Sequence, residues 1–290
     1  MDYDCPGKKM KEKTGWNLEE IDFGILRRDM VEKDERLFYL LASASFVEIL
    51  SEVYTGNLIE HYDGNHEAVL WLKETWQKEE VQHGQSLKRY VQAVWPEFDW
   101  ERSYSGFARE YGELCSMDNL EASRALEMVA RCVVETGTST LYRCLYDHAE
   151  EPLLREILCN IKSDEVRHYS KFRKLFIEHN RTEKRGAMPV FRVILKRMAE
   201  IHGEDGYIAF KHAYLCRSGK PENLEKEWAK FRKSLNTLML RHYPISMAVE
   251  MILSPVPLSI RLKKPLEKML VGFAKFTLSG LAHLQGKATS

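Results

Sequence analysis

Two short stretches constrain this chain more than any others. Lys78-Glu79-Glu80-Val81-Gln82-His83-Gly84 recurs in altered form as Ser163-Asp164-Glu165-Val166-Arg167-His168-Tyr169. Both read acid-Glu-Val-x-His, and both sit inside long segments with helical periodicity. Residues three apart share a helix face, so Glu80 with His83, and Glu165 with His168, each present a carboxylate and an imidazole together. One such pair arises readily by chance, because Glu and His are common on helices. Two in one chain ask for a shared explanation.

A bundle that holds two metal ions supplies one. There, two helices each bring Glu-x-x-His and two others each bring a single Glu. Four carboxylates cancel two divalent cations, and two neutral imidazoles complete the shell without adding charge. The downstream motif has a clear single Glu: Glu135 is the only charged residue between Arg131 and Arg143. A carboxylate set in Cys-Val-Val-Glu-Thr-Gly-Thr faces a desolvation cost of several kcal/mol unless a cation or hydrogen bonds offset it. The upstream motif has two candidates, Glu48 and Glu52, the only charges between Arg36 and Glu60. They are four apart and share a face of an unbroken helix. Glu52 is preferred, because Glu52-x-x-Thr55-x-x-Leu58 reproduces Glu135-x-x-Thr138-x-x-Leu141 and its interval to Glu80 resembles that from Glu135 to Glu165. The expected metal ligands are Glu52, Glu80, His83, Glu135, Glu165 and His168. Glu79 and Asp164 point about 100° away from their neighbours and are expected as outer partners or surface acids.

These residues resemble a known family. Trp76 ahead of Glu79-Glu80-Val81-Gln82-His83-Gly84, Glu135 with Thr138, and Asp164-Glu165-Val166-Arg167-His168 are similar to the motifs of ferritin-like di-iron carboxylate oxidases, most of all the soluble acyl-carrier-protein desaturases. The likeness covers roughly residues 35–180 and does not extend over the last hundred. It implies two irons cycling between Fe2+ and Fe3+, with manganese the second choice, and O2 as co-substrate. It also implies a catalytic role for Thr138 in proton delivery beside the metals, against which stands the ordinary habit of a helical Thr of bonding its own i−4 carbonyl. An external donor, a ferredoxin-like protein or a flavin reductase, is the expected electron source, because no reductase motif is present. An acyl carrier protein and a homodimer are further partners to consider. The implied activity is desaturation or hydroxylation of a lipid-like or carrier-bound substrate. Two alternatives share the fold: an iron-oxidising or peroxide-scavenging ferritin or rubrerythrin relative, and an amine N-oxygenase. The amine-oxidising branch carries an extra His one turn before its last Glu-x-x-His, where this chain has Ile161.

The remaining patterns are nearly all helical. Long segments are expected over residues 34–62 and 65–94, joined by the turn at Asp63-Gly64-Asn65, and over 119–148 and 152–180, with Pro152 in an opening turn. A looser aromatic stretch through Phe98 and Tyr104 joins the two pairs. The predicted fold class is all-α, a ferritin-like four-helix bundle with a di-metal site plus additional C-terminal helices. Its parts are an N-terminal segment (1–33), the bundle (34–182) and an accessory region (187–290) packed on it. In that region helices are expected over 188–202, 204–217, 222–242 and 265–284, with Lys264-Pro265 breaking the chain.

Composition narrows the class further. Lys plus Arg equals Asp plus Glu, 43 of each, so the molecule as a whole is not a nucleic-acid binder. Charge is uneven, with six Lys and Arg against one Glu between Pro255 and Ser290. That basic, apolar tail reads either as a helical layer or as a docking surface for an acidic carrier or an anionic membrane face. No run of about 20 uninterrupted apolar residues is present, so no membrane span is expected. Six scattered cysteines without Cys-x-x-Cys are expected as reduced thiols, and a cytoplasmic location follows. Trp71 and Trp76 read as core packing.

Overall fold

Helices form wherever apolar residues recur at three- and four-residue spacing, and caps set their starts. The structure, a computed structural model, describes residues 15–200 and 204–287. Among the described residues it is all-helical, with no strand. The helices are α1 (Glu35–Ile49), α2 (Ser51–His61), α3 (His66–Trp71), α4 (Gln77–Val94), α5 (Trp100–Gly112), α6 (Arg124–His148), α7 (Pro152–Glu183), α8 (Ala187–Glu200), α9 (Glu204–Ser218), α10 (Leu224–His242), α11 (Ile245–Leu253) and α12 (Ile260–Lys287). A π-helical turn, Leu72–Trp76, joins α3 to α4.

The chain divides into two compact units. The first contains the described parts of Met1–Leu120, Ala149–Asp164 and His202–Arg232; the second contains Glu121–His148, Glu165–Ile201 and Lys233–Ser290. Helix α7 is uninterrupted and contributes to both. The stretch expected as one accessory region, 187–290, likewise contributes to both units.

In the first unit α1 packs along α4, and α9 packs against α1 and α5. Asp34 caps α1 by accepting from the backbone N–H of Leu37. The return to α3 passes through Gly64, whose φ of 83° suits glycine, and Asn65 caps α3. Phe38 sits edge-on to Trp95 and Phe98, while Phe46 meets Trp100 and Phe107. The run Glu35–His61 is apolar and long enough to span a bilayer, yet 67% of its most apolar window is buried inside the protein, as in a core helix. Residues 34–62 do not form one helix: Leu50, with ψ of −6°, interrupts it between α1 and α2. Helix α5 occupies what was expected to be a loose crossover. Asp99 caps it, and Trp100, Ser103 and Phe107 form its buried face. That cap and spacing were legible in the sequence. The buried Glu151 caps α7, accepting from the backbone of Arg27, Leu153 and Leu154 and from the Tyr90 hydroxyl.

In the second unit α6 packs against α8 and α11, and α11 against α12. Glu183 near the end of α7 accepts from Ser123 and from the Ala125 backbone, holding the start of α6. Burial opposes ionisation there, but these hydrogen bonds and Arg185 hold the Glu183 carboxyl below its usual range. Tyr169 donates to the Met251 carbonyl at 2.6 Å, tying α7 to α11.

Two further expectations are corrected. Cys115, Cys132, Cys144 and Cys216 are free thiols, as expected, but Cys159 is disulfide-bonded; Cys5 lies outside the described residues. Lys264-Pro265 does not break the last helix, because Pro265 lies inside α12. Arg261 and Pro265 are both exposed, so water can take the carbonyl that proline leaves without an intrahelical donor.

Candidate metal centre

Each unit assembles one buried group of two carboxylates and one imidazole. In the first, the last turn of α1 supplies Glu48, and the first two turns of α4 supply Glu80 and His83. Glu48 and Glu80 are 5% exposed and His83 is fully buried. One ligand atom from each lies within 4.8 Å of the other two. His83 Nδ1 is 4.0 Å from Glu48 Oε2. Its other nitrogen, Nε2, is 3.0 Å from Asp164 Oδ2, and Asp164 also accepts from the indole N–H of Trp16 at 2.7 Å. Gln82 donates to the Trp16 carbonyl at 2.9 Å, and the Trp16 ring lies parallel to His83 at 6.2 Å between centroids. The acid beside Nε2 favours the tautomer that carries its proton there and leaves the Nδ1 lone pair facing the carboxylates.

In the second unit α6 supplies Glu135, and α7 supplies Glu165 and His168. All three are at most 2% exposed, and their ligand atoms also lie within 4.8 Å of one another. His168 Nδ1 is 3.7 Å from Glu135 Oε2, which matches the arrangement of His83 and Glu48. Thr138 donates to Glu165 Oε2 at 2.5 Å; its contacts to the Val134 and Glu135 carbonyls are long, at 3.5 and 3.3 Å. The hydroxyl is therefore committed to a carboxylate, not to its own helix. Cys132, one turn before Glu135, is buried, and burial pushes its thiol up.

Sequence and structure part at Glu52. It is exposed on the first turn of α2 and belongs to neither group. The expectation that Glu52 faces the site is corrected in favour of Glu48. Leu50 interrupts the helix between them, and Glu52 lies a further turn along, on the exposed side of α2. A parallel was available in the sequence, since Glu48-x-x-Ser51 and Glu135-x-x-Thr138 both place a hydroxyl one turn after the acid. Ser51 is fully buried. No protein-family model and no curated protein matches this chain.

The donor set fits divalent metal. Two ligands of one ion, each bound at about 2.1 Å, sit roughly 3–4 Å apart. The 3.7 and 4.0 Å separations fall in that range and are too long for hydrogen bonds. Carboxylate-rich sites with imidazole suit iron or manganese better than copper. Without a cation the carboxylates raise one another's proton affinity. Burial pushes the Glu135 carboxyl up from 4.5 to about 8, His168 opposes this, and Glu165 adds to it.

That shift has a sign. A carboxyl whose folded value lies above its unfolded value keeps its proton longer in the folded protein. Its contribution is therefore lost as pH rises from about 4.5 towards about 8. The melting temperature of metal-free protein is expected to fall across that window, and a divalent metal that replaces the proton should remove the fall. Thermal melts at both ends, with chelator and with ferrous or manganous ion, check this. A Glu135→Gln chain should lack Glu135's share.

Trp16 and Asp164 are the additions that sequence reasoning did not assign a definite role. Asp164 is 1% exposed and lies against His83 Nε2. Trp16 lies in the N-terminal segment ahead of α1, and nothing in its neighbours marks it.

Proposed function

We propose that this chain is an oxygen-dependent di-iron oxidase with a ferritin-like bundle, desaturating or hydroxylating a lipid-like or carrier-bound substrate. The observation that carries the reading is the duplicate buried group, Glu48–Glu80–His83 and Glu135–Glu165–His168, with each imidazole turned the same way towards its carboxylates. Joining the two groups into one dinuclear centre follows the doubled sequence motif and its resemblance to desaturases. The six residues would hold two irons, which supply the two-electron chemistry by which O2 oxidises an unactivated C–H bond.

The chain's own residues set the conditions. Four carboxylates offset the charge of two ferrous ions. Asp164 orients His83 and holds its Nε2 proton, and Trp16 orients Asp164 in turn. Thr138 holds a hydroxyl proton against Glu165, placed to move within the site. Glu48, Glu80, His83, Glu135, Glu165 and His168 are themselves at most 5% exposed, which keeps bulk water from them. Desaturation takes two hydrogens from the substrate, two electrons from an external donor and two protons from solvent, and O2 leaves as two waters. Hydroxylation leaves one oxygen atom in the product. Ile161 one turn before Glu165 offers no ligand, which supports ranking the amine-oxidising alternative lower.

The test loads the protein anaerobically with ferrous iron, counts the metal, and measures O2 consumption with a chemical reductase and acyl thioesters, free or on acyl carrier protein. About two irons per chain is expected, with substrate-dependent O2 uptake and a product that has lost two hydrogens or gained one oxygen. O2 or peroxide consumption indifferent to every acyl substrate would favour the ferritin or rubrerythrin alternative. Absence of iron uptake would sink both.

A further inference from the structure

Helix α12 has three faces. Between Ile260 and Phe276, Leu266, Leu270, Val271 and Ala274 are half-buried, and α12 packs on α11. Lys263, also on this side, donates to the Ser254 carbonyl at 2.9 Å. A second face is apolar and open: Leu262, Met269 and Phe276 are 63%, 62% and 78% exposed. They are seven apart and fall within about 40° of arc at 3.6 residues per turn. The third face carries Arg261, Lys264, Lys268 and Lys275, all exposed, within about 60° of arc and centred about 110° from the apolar stripe. Glu267, the one acid in this stretch, lies outside both open faces and is half-buried.

We propose that α12 seats this protein on an anionic lipid bilayer, lying in the plane of the headgroups. An interfacial helix needs an apolar stripe to sink past the headgroups and a cationic flank to meet the lipid phosphates, and this helix has both, side by side. The long Lys and Arg stems run along the stripe's edge and keep their charges at phosphate depth. Other occupants fit less well. A second copy packed antiparallel across a two-fold axis on the same stripe would bring both cationic flanks to one side. An acidic carrier protein would pair with the cations but leave three large apolar side chains in water. A surface both apolar and anionic satisfies the whole helix. The inference does not depend on metal or on the oxidase reading.

The experiment is sedimentation of the full chain with vesicles of phosphatidylcholine alone and of phosphatidylcholine containing about 30% phosphatidylglycerol. Binding is expected to the anionic vesicles and not to the neutral ones, weakening with salt. A Lys264→Glu, Lys268→Glu, Lys275→Glu chain and a Met269→Ser, Phe276→Ser chain should each lose at least about ten-fold in affinity. All the substituted side chains are exposed, so circular dichroism and melting should match the parent. Four results would overturn the proposal: equal binding to both vesicle types, no binding to either, capture by acidic carrier protein without vesicle binding, or self-association abolished by Met269→Ser, Phe276→Ser without vesicle binding.

Discussion

Replacing Glu48 with Ala should lower the iron content of anaerobically loaded protein from about two per chain to about one or fewer, while Glu52→Ala should leave it unchanged. The two residues are four apart, carry the same charge and precede the same motif, so only their placement separates them. Glu48 is buried with His83 Nδ1 at 4.0 Å; Glu52 is in solvent. The thermal effect should also be opposite to that of an ordinary core truncation. Removing one of two neighbouring buried carboxylates relieves repulsion, so Glu48→Ala should not lower the melting point of metal-free protein. It should abolish most of the stabilisation that metal confers. Metal analysis and melts with and without ferrous ion check both statements. Equal metal loss in the Glu52→Ala chain would refute the assignment.

The second large effect is at Gly84, the residue after His83. A Cβ there would lie 2.5 Å from Ile49 Cγ1, 2.8 Å from the Ile49 backbone nitrogen and 3.0 Å from Glu48 Cβ. Backbone cannot rotate away as a side chain can, so α1 must move off α4 and carry Glu48 with it. On helix propensity alone Gly→Ala would stabilise by up to about 1 kcal/mol. Overpacking costs about 1–3 kcal/mol and is expected to win. Gly56 on α2 is the control: it is exposed, and a Cβ there would meet nothing within 4 Å. Gly56→Ala should therefore stabilise by a few tenths to about 1 kcal/mol. Denaturant melts of the two chains should move in opposite directions, and only Gly84→Ala should lose metal. A stabilised Gly84→Ala chain would show that the close approach of α1 and α4 is not needed.

The doubled motif also explains how much of the site was readable. Glu80 with His83 and Glu165 with His168 are each set by an interval of three within one helix, and helix geometry alone puts such a pair on one face. Glu135 stood out because no other charge lies within seven residues on either side of it except Arg131. The all-helical class followed from apolar periodicity, and Pro152 marked the start of α7 where it occurs. Helix α5 was legible from the Asp99 cap and the spacing of Trp100, Ser103 and Phe107, and aromatic content obscured it.

What the sequence determined by itself was local: which residues are helical, and which acid and imidazole share a turn. These depend on bonds between residues at most four apart, so the order of residues decides them. The choice of Glu48 over Glu52 depended on which of them the packing against α4 buries, which no pattern of side chains announces. The partnership of Trp16 with Asp164 spans 148 residues, and that of His83 with Asp164 spans 81. The open apolar stripe on α12 is a matter of what does not cover it. Contacts of that range are selected by packing across the whole chain, and only the tertiary structure decided them.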